Sequence, residues 1–265
     1  MFPWARATVF ARRNQCDLIW PVWPQFHLGS WLRWERDKRT YAGLFRRPRE
    51  WAQNWKVWRP KQFREGQERA FISHDGSACL TFSGLGRLHA DLLGERDLLW
   101  QELCRSSRAD LARLRDRGRG KIGICIRLGD YKMLGWSTPV DWFVERLQEL
   151  RRHDPCRQIW LFSDGSDAEL APILRDRLVS RPDLGATALD ALALMSGLDL
   201  LIATGGSTLY RWAGYFGGAP AITHAFDDFH RDAWRGFSRH AIGLVGREAP
   251  TVAQWRDLLG AVAGR

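Results

Sequence analysis

No stretch of this 265-residue chain approaches the roughly 20 unbroken apolar residues that a bilayer-spanning helix requires. The N-terminus, Met1-Phe2-Pro3-Trp4-Ala5-Arg6, lacks the charged-then-apolar plan of a signal peptide, so a cytoplasmic location is expected. Cysteine is scarce: Cys16, Cys79, Cys104, Cys125 and Cys156 are scattered, odd in number and never in a C-x-x-C pair. That spacing argues against a disulfide framework or a thiolate metal site and reads as reduced, mostly buried thiols. The seven histidines form no H-E-x-x-H. His224 and His230 flank Asp227 and Asp228, a grouping read as solvated loop acids, so no metal is expected. No Walker motif is present, and Gly84-Leu85-Gly86 lacks the third glycine of a dinucleotide fingerprint. P-loop enzymes and Rossmann dehydrogenases are set aside on that ground. Internal repeats and low-complexity tracts are absent as well.

What remains is the composition of a folded globular protein, 45% hydrophobic and 26% charged. The formal net charge is +10. A basic surface suits nucleic acid, anionic lipid headgroups or phosphorylated substrates. Much of the excess is arginine dispersed through helical sequence, as in Arg105 to Arg119, which reads as a solvated face. With no recognition motif beside it, nucleic acid is not an expected partner. There are 15 tryptophans. Most are expected in the core, and an exposed indole suits the apolar face of a sugar ring.

The second half alternates strand and helix. Lys121 to Arg127 is a β-branched run expected as a buried parallel strand. Thr138-Pro139 offers an N-cap and an N1 proline for a helix over Val140 to Arg152. Gln158 to Ser163 is a second strand, and Ser166-Asp167-Ala168-Glu169 is a capping box for a helix reaching about Leu178. A short helix over Ala188 to Met195, a strand over Leu198 to Ala203, a helix over Ser207 to Phe216 and a strand over Ala219 to Thr223 follow. Thr251 caps a last helix ending near Ala263. Such units predict a doubly wound α/β domain with its site at the strand C-termini.

The first half is less regular. A helix is expected over Phe2 to Arg13, and a strand over Asp17 to Trp20, ended by Pro21 and Pro24. Residues 25 to 66 are rich in Trp, Arg and Pro and read as loop-bearing. A strand over Ala78 to Ser83 precedes a long helix from Leu88 to Arg115. Gly118-Arg119-Gly120 is the expected hinge, dividing residues 1–117 from 118–265.

Three strand ends carry groups suited to a nucleotide diphosphate. Arg127 directly follows the first strand, with Gly129 and Asp130 behind it, and a guanidinium offers a bidentate fork to phosphate. An ion pair between Arg127 and Asp130 is the structural alternative. Ser163-Asp164-Gly165 leaves the second strand, where a carboxylate can accept from a base or a ribose hydroxyl; capping of the next helix is the alternative. Thr204-Gly205-Gly206-Ser207-Thr208 joins strand to helix, and a helix N-terminus attracts phosphate. An ordinary tight turn with a Ser or Thr cap is the alternative there.

At these positions the chain resembles a known family. Cys125-Ile126-Arg127-Leu128-Gly129-Asp130-Tyr131 is similar to the H-x-R-R-G-D-Y motif of the α-1,2-fucosyltransferases, glycosyltransferase family 11, and their α-1,6- and protein O-fucosyltransferase relatives. Phe162-Ser163-Asp164 resembles the family's F-S-D-D segment. Gly206-Ser207-Thr208-Leu209-Tyr210-Arg211-Trp212-Ala213 resembles its N-S-S-F-S-W-W-A segment. Phe2-Pro3-Trp4-Ala5 looks like the end of its N-terminal G-N-x-x-F-x-x-A helix, so the N-terminal domain is expected to lack its first strand.

The resemblance implies a GT-B fold of two Rossmann-like domains, the N-terminal one on the acceptor side. It implies a GDP-fucose donor, inversion at the anomeric carbon and no metal. Carried over by position, Arg127 would hold the β-phosphate and offset charge on departing GDP, and Asp130 would orient it. Ser207, Thr208 and Gly206 would face phosphate, with Ser163 and Asp164 at the guanosine. The acceptor would be a polysaccharide or a lipid-linked glycan, with peripheral membrane contact. Candidates for the general base are Asp130, Glu35 and Asp37. The chain departs from the family at Cys125 (histidine), Leu128 (second arginine), Gly206 (asparagine), Tyr210 (serine) and Arg211 (tryptophan). Those departures keep open a degenerate, non-catalytic glycan- or nucleotide-binding member.

Overall fold

The computed structural model describes residues 1–19, 44–46, 60–183, 187–225, 241–246 and 248–263. The chain divides into two compact units, Met1–Ala109 and Asp110–Arg265. Glu35 and Asp37, as well as Asp227, Asp228 and His230, lie outside the described residues.

In the first unit, α1 (Phe2–Asn14) forms with Pro3 in its first turn and ends where Gln15 turns left-handed at φ 53°. It buries Phe2, Ala5 and Val9. Its buried Arg6 donates to the Glu65 carboxylate at 2.5 and 3.0 Å and to the Ser83 carbonyl at 2.8 Å. These bonds tie α1 to the ends of β1 (Lys61–Arg64) and β2 (Ala78–Thr81), which pair in parallel around α2 (Glu68–Ile72). β1 falls within sequence read as irregular, because a four-residue strand burying only Phe63 leaves almost no periodic signal. Residues 17–19 of the expected early strand are irregular, and Trp20 lies outside the described residues.

The expected helix from Leu88 to Arg115 is interrupted twice. A 3-10 turn over Leu88–Leu92 ends as Gly94 takes φ 85°, and α3 (Arg96–Ser106) begins after it. The chain then leaves α3 at Ser107, which bridges Phe45. Asp110 restarts it as α4 (Leu111–Gly118), accepting from the Arg113 N–H at 3.0 Å. The division between the units therefore precedes α4, ahead of the glycine hinge.

The second unit is a mixed α/β body with a six-stranded parallel sheet flanked by helices. Its strands are β3 (Ile122–Ile126), β4 (Ile159–Ser163), β5 (Val179–Ser180), β6 (Leu200–Thr204), β7 (Ala221–Ala225) and β8 (Ala241–Val245). Its remaining helices are α5 (Gly129–Met133), α6 (Val140–His153), α7 (Asp167–Leu174), α8 (Ala188–Ser196), α9 (Thr208–Gly217) and α10 (Val252–Ala263). The order is β5-β4-β3-β6-β7-β8, so the sheet grows outward from β3 in one direction and from β6 in the other. The crevice between the C-terminal ends of β3 and β6 is the topological switch point, where such sheets bind ligands.

The isoleucines of β3 explain its central place. Ile122, Ile124 and Ile126 lie in one apolar cluster with Phe143 and Leu147 of α6, Ile202 of β6, and Trp255 of α10. Their alternate, Cys125, meets Met195 of α8 with sulfurs 3.6 Å apart. α4 approaches α8 through bare glycine: a Cβ on Gly197 would stand 1.7 Å from the Arg115 carbonyl oxygen.

Two local expectations are corrected. Thr138 does not cap α6, because Pro139 stays extended (φ −56°, ψ 137°) and itself occupies the cap position. α7 stops at Leu174, short of Leu178. The capping boxes of α7, on Ser166 and Glu169, and of α8, on Thr187 and Asp190, are both closed. The edge strand β8 was not foreseen; four of its five residues are only half-buried, and its run is short.

Candidate functional site

The site lies at the switch point. β3 ends at Ile126, so Arg127 emerges between the ends of β4 and β6. Its backbone N–H donates to the Thr204 hydroxyl at 3.3 Å, joining the tips of β3 and β6. Its guanidinium lies between two carboxylates, with Nη2 2.9 Å from Asp130 Oδ1 and Nη1 2.7 Å from Asp164 Oδ2. Asp164 is fixed in turn by the Leu128 N–H, which donates to its Oδ1 at 2.8 Å. The site thus brings together Arg127, Asp130 and Asp164, one from each end of a strand-to-helix turn and one from the neighbouring strand.

The Arg127 side chain is 27% exposed. Burial alone pulls its pKa down, and the charges of Asp164 and Asp130 outweigh that and hold it above the ordinary value. Guanidinium Nε has no partner among the described residues, so the ion pairs orient the fork without occupying all of it. Gly129 makes the approach possible. A Cβ there would sit 2.5 Å from Asp164 Oδ2.

The other expected residues are placed as follows. Ser163 turns inward on its own loop, its hydroxyl accepting from the Gly165 N–H at 3.0 Å. Ser207 is the cap residue of α9, buried, with no capping bond from its hydroxyl. Thr208 begins α9 and is exposed, and Gly206 before them is half-buried. The close approach in this turn belongs to Gly205, where a Cβ would meet the His224 carbonyl oxygen at 2.2 Å.

The departures from the family pattern have physical consequences. Cys125 is wholly buried, and burial pushes its thiol far up, so it is an inert core group. Leu128 is buried in the core cluster and contributes only its N–H to the site. A second guanidinium does reach this neighbourhood, from α9. Arg211 is buried and donates from Nε to the Gly205 carbonyl at 3.0 Å. Burial pushes the Tyr131 phenol up, while the charges of both Arg127 and Arg211 pull it back. Tyr131 also lies beneath Arg127, its ring centre 6.0 Å from the guanidinium carbon. The Tyr210 phenol is buried and raised well above its ordinary value by that burial, with Cys125, Asp164 and Arg127 acting on it.

The sequence reading included Thr204, Tyr131 and Arg211 in its motif segments but assigned none of them a role in this site. The usable signal for Arg211 was its spacing of four from Ser207, which puts both on one face of a helix. Among the described residues, no group of three or more His, Cys, Asp or Glu is arranged to hold a metal ion. No helix among them is long and apolar enough to cross a membrane. No protein-family model, curated protein or solved structure matches this chain.

Proposed function

We propose that the protein is an inverting glycosyltransferase that moves a sugar, most specifically fucose from GDP-fucose, to a hydroxyl of a polysaccharide or lipid-linked oligosaccharide. The observation that carries this reading is Arg127, clamped by Asp130 and Asp164 at the switch point of a parallel sheet. A preorganised guanidinium suits charge that develops on a departing diphosphate. In this reading the acceptor oxygen bonds to the anomeric carbon as the bond from that carbon to the phosphate oxygen breaks. GDP leaves carrying the electron pair, and a base takes the acceptor proton. Arg127 offsets the new charge in place of a metal ion, Asp130 positions Arg127, and Asp164 lies toward the nucleoside. Ser163, Gly206, Ser207 and Thr208 complete the donor side. The general base is Asp130, Glu35 or Asp37. At the level of the fold, we assign the two units to the halves of a GT-B enzyme, with a cytoplasmic site of action at the inner face of the membrane.

A specific observation favours a second reading, a non-catalytic binder of nucleotides or glycans. Arg127 is already neutralised by two carboxylates, and the side chains of Cys125 and Leu128 are withdrawn into the core. GDP and GDP-fucose binding by calorimetry, with donor hydrolysis alongside, separates the readings. The transferase reading expects wild-type binding and turnover, with Arg127→Ala lowering turnover about a hundredfold or more. Binding without turnover on any acceptor supports the second reading. If wild type binds neither nucleotide, both lose their footing at this site.

A further inference from the structure

We infer that Met133, Leu134 and Trp136 form a docking face for an anionic lipid surface, beside the Arg127 site. Nine large apolar residues are exposed among the described ones, and three of them fall within these four positions. Met133 is 74% exposed, Leu134 53% and Trp136 51%. The face is held in shape. Gly135 takes φ 70°, its N–H donates to the Lys132 carbonyl at 3.3 Å, and the Trp136 N–H donates to the Tyr131 carbonyl at 2.9 Å. This is a Schellman ending for α5, and it seats Trp136 edge-on against Tyr131 with ring centres 6.0 Å apart. Trp136 is the exposed member of the seven described tryptophans; Trp4, Trp142, Trp212 and Trp255 are buried.

Three possible occupants differ in what they need. A sugar needs hydrogen-bonding groups at the rim of the aromatic platform, and Met133 and Leu134 supply none. A protein partner needs a patch of about 800 Å² per side, far more than three side chains provide. A bilayer needs no matching shape. It takes apolar prongs below the headgroups, an indole at their level, and positive charge to meet anionic lipid. The face supplies the prongs and the indole, and the chain as a whole supplies the charge, its formal net charge being +10, while Lys132 of the same helix is paired with Glu169. The same short helix carries Asp130 on Arg127, so docking through its far end brings the switch-point edge to the lipid surface.

The test is sedimentation of the full chain with vesicles of phosphatidylcholine alone and of phosphatidylcholine with phosphatidylglycerol, in low and high salt. Wild type is expected on the mixed vesicles, more weakly in high salt. The triple variant Met133→Ser, Leu134→Ser, Trp136→Ser is expected to bind them at least about tenfold less. An unchanged thermal melt shows that the triple variant is folded. Met133→Glu, a single change at the most exposed position, is the second variant and is expected to weaken binding through charge. The inference stands apart from the donor reading, because Arg127→Ala is expected to keep its vesicle binding whatever happens to GDP. Equal sedimentation of wild type and the triple variant overturns it, as does no sedimentation or no preference for anionic lipid. A variant that alters only oligomeric state, or only binding of a soluble oligosaccharide, overturns it too, by assigning the face to a second copy or to the acceptor.

Discussion

Arg127 shows how neighbouring groups can fix a guanidinium in place at a strand end. Two carboxylates hold its terminal nitrogens, and Asp164 cannot drift because the Leu128 N–H holds its other oxygen. The smallest change that tests this clamp is Gly129→Ala. Gly129 is not in the left-handed region, so alanine brings no backbone strain, only a methyl 2.5 Å from Asp164 Oδ2. Asp164 must shift and Arg127 loses one support. Under the proposed donor reading, GDP affinity is expected to fall about tenfold while global stability changes by less than about 1 kcal/mol. Calorimetric titration and a denaturant melt check both numbers. Unchanged affinity would show that the Asp164 clamp does not matter to binding. Much of this residue-level picture was legible beforehand: Arg127, Asp130 and Asp164 stand at the ends of two runs already read as strands. Arg211 was not, because nothing local shows that a buried arginine on α9 donates to the turn below it.

The elements of the second unit follow from their sequence with small displacements. Strand β6 begins at Leu200 and β7 at Ala221, two residues beyond the starts expected at Leu198 and Ala219, since apolar runs set a strand's existence better than its ends. Helix boundaries were read well where side chains cap them, as at Ser166 and Thr251. At Val140 the boundary was read correctly and only the capping residue was not, whereas the break at Gly94, which backbone geometry decides, was missed. The α4–α8 crossing is the contact most sensitive to a single atom. Gly197 and Gly118 face each other's helices, and added Cβ atoms would stand 1.7 Å from the Arg115 carbonyl oxygen and 2.4 Å from the Leu194 carbonyl oxygen. Those neighbours are backbone and cannot swing away. Gly197→Ala is therefore expected to destabilise the protein by about 3 kcal/mol. Urea unfolding measures this; a neutral result would mean the two helices can separate without loss.

At the scale of the whole molecule, arginine–carboxylate pairs recur in each unit. The Arg6 hydrogen bond holds the Glu65 carboxyl below the ordinary carboxylate range, and the Arg151 hydrogen bond does the same for Asp176. A carboxylate whose folded pKa is depressed contributes stability that is full above its unfolded pKa. That contribution is lost as the pH falls through the folded value. Stability should therefore be flat from neutral pH down to the ordinary carboxylate range and fall below it, in both units. Thermal melts across acidic pH, with Glu65→Gln and Asp176→Asn, check the sign. Each variant should melt lower at neutral pH and lose less than wild type on acidification.

Composition and periodicity by themselves determined the alternation of strands and helices after Lys121 and the absence of any run able to cross a bilayer. They also placed polar groups at the ends of three strands. Such features are local, written in side-chain type and spacing. Only the tertiary structure decided the strand order that sets β3 beside β6, the second carboxylate on Arg127, and the burial of Leu128. It alone exposed Met133, Leu134 and Trp136 together. Each of those depends on residues far apart in the chain, or on which side of a surface a side chain finds room, and pairing over such distances leaves no mark on local pattern.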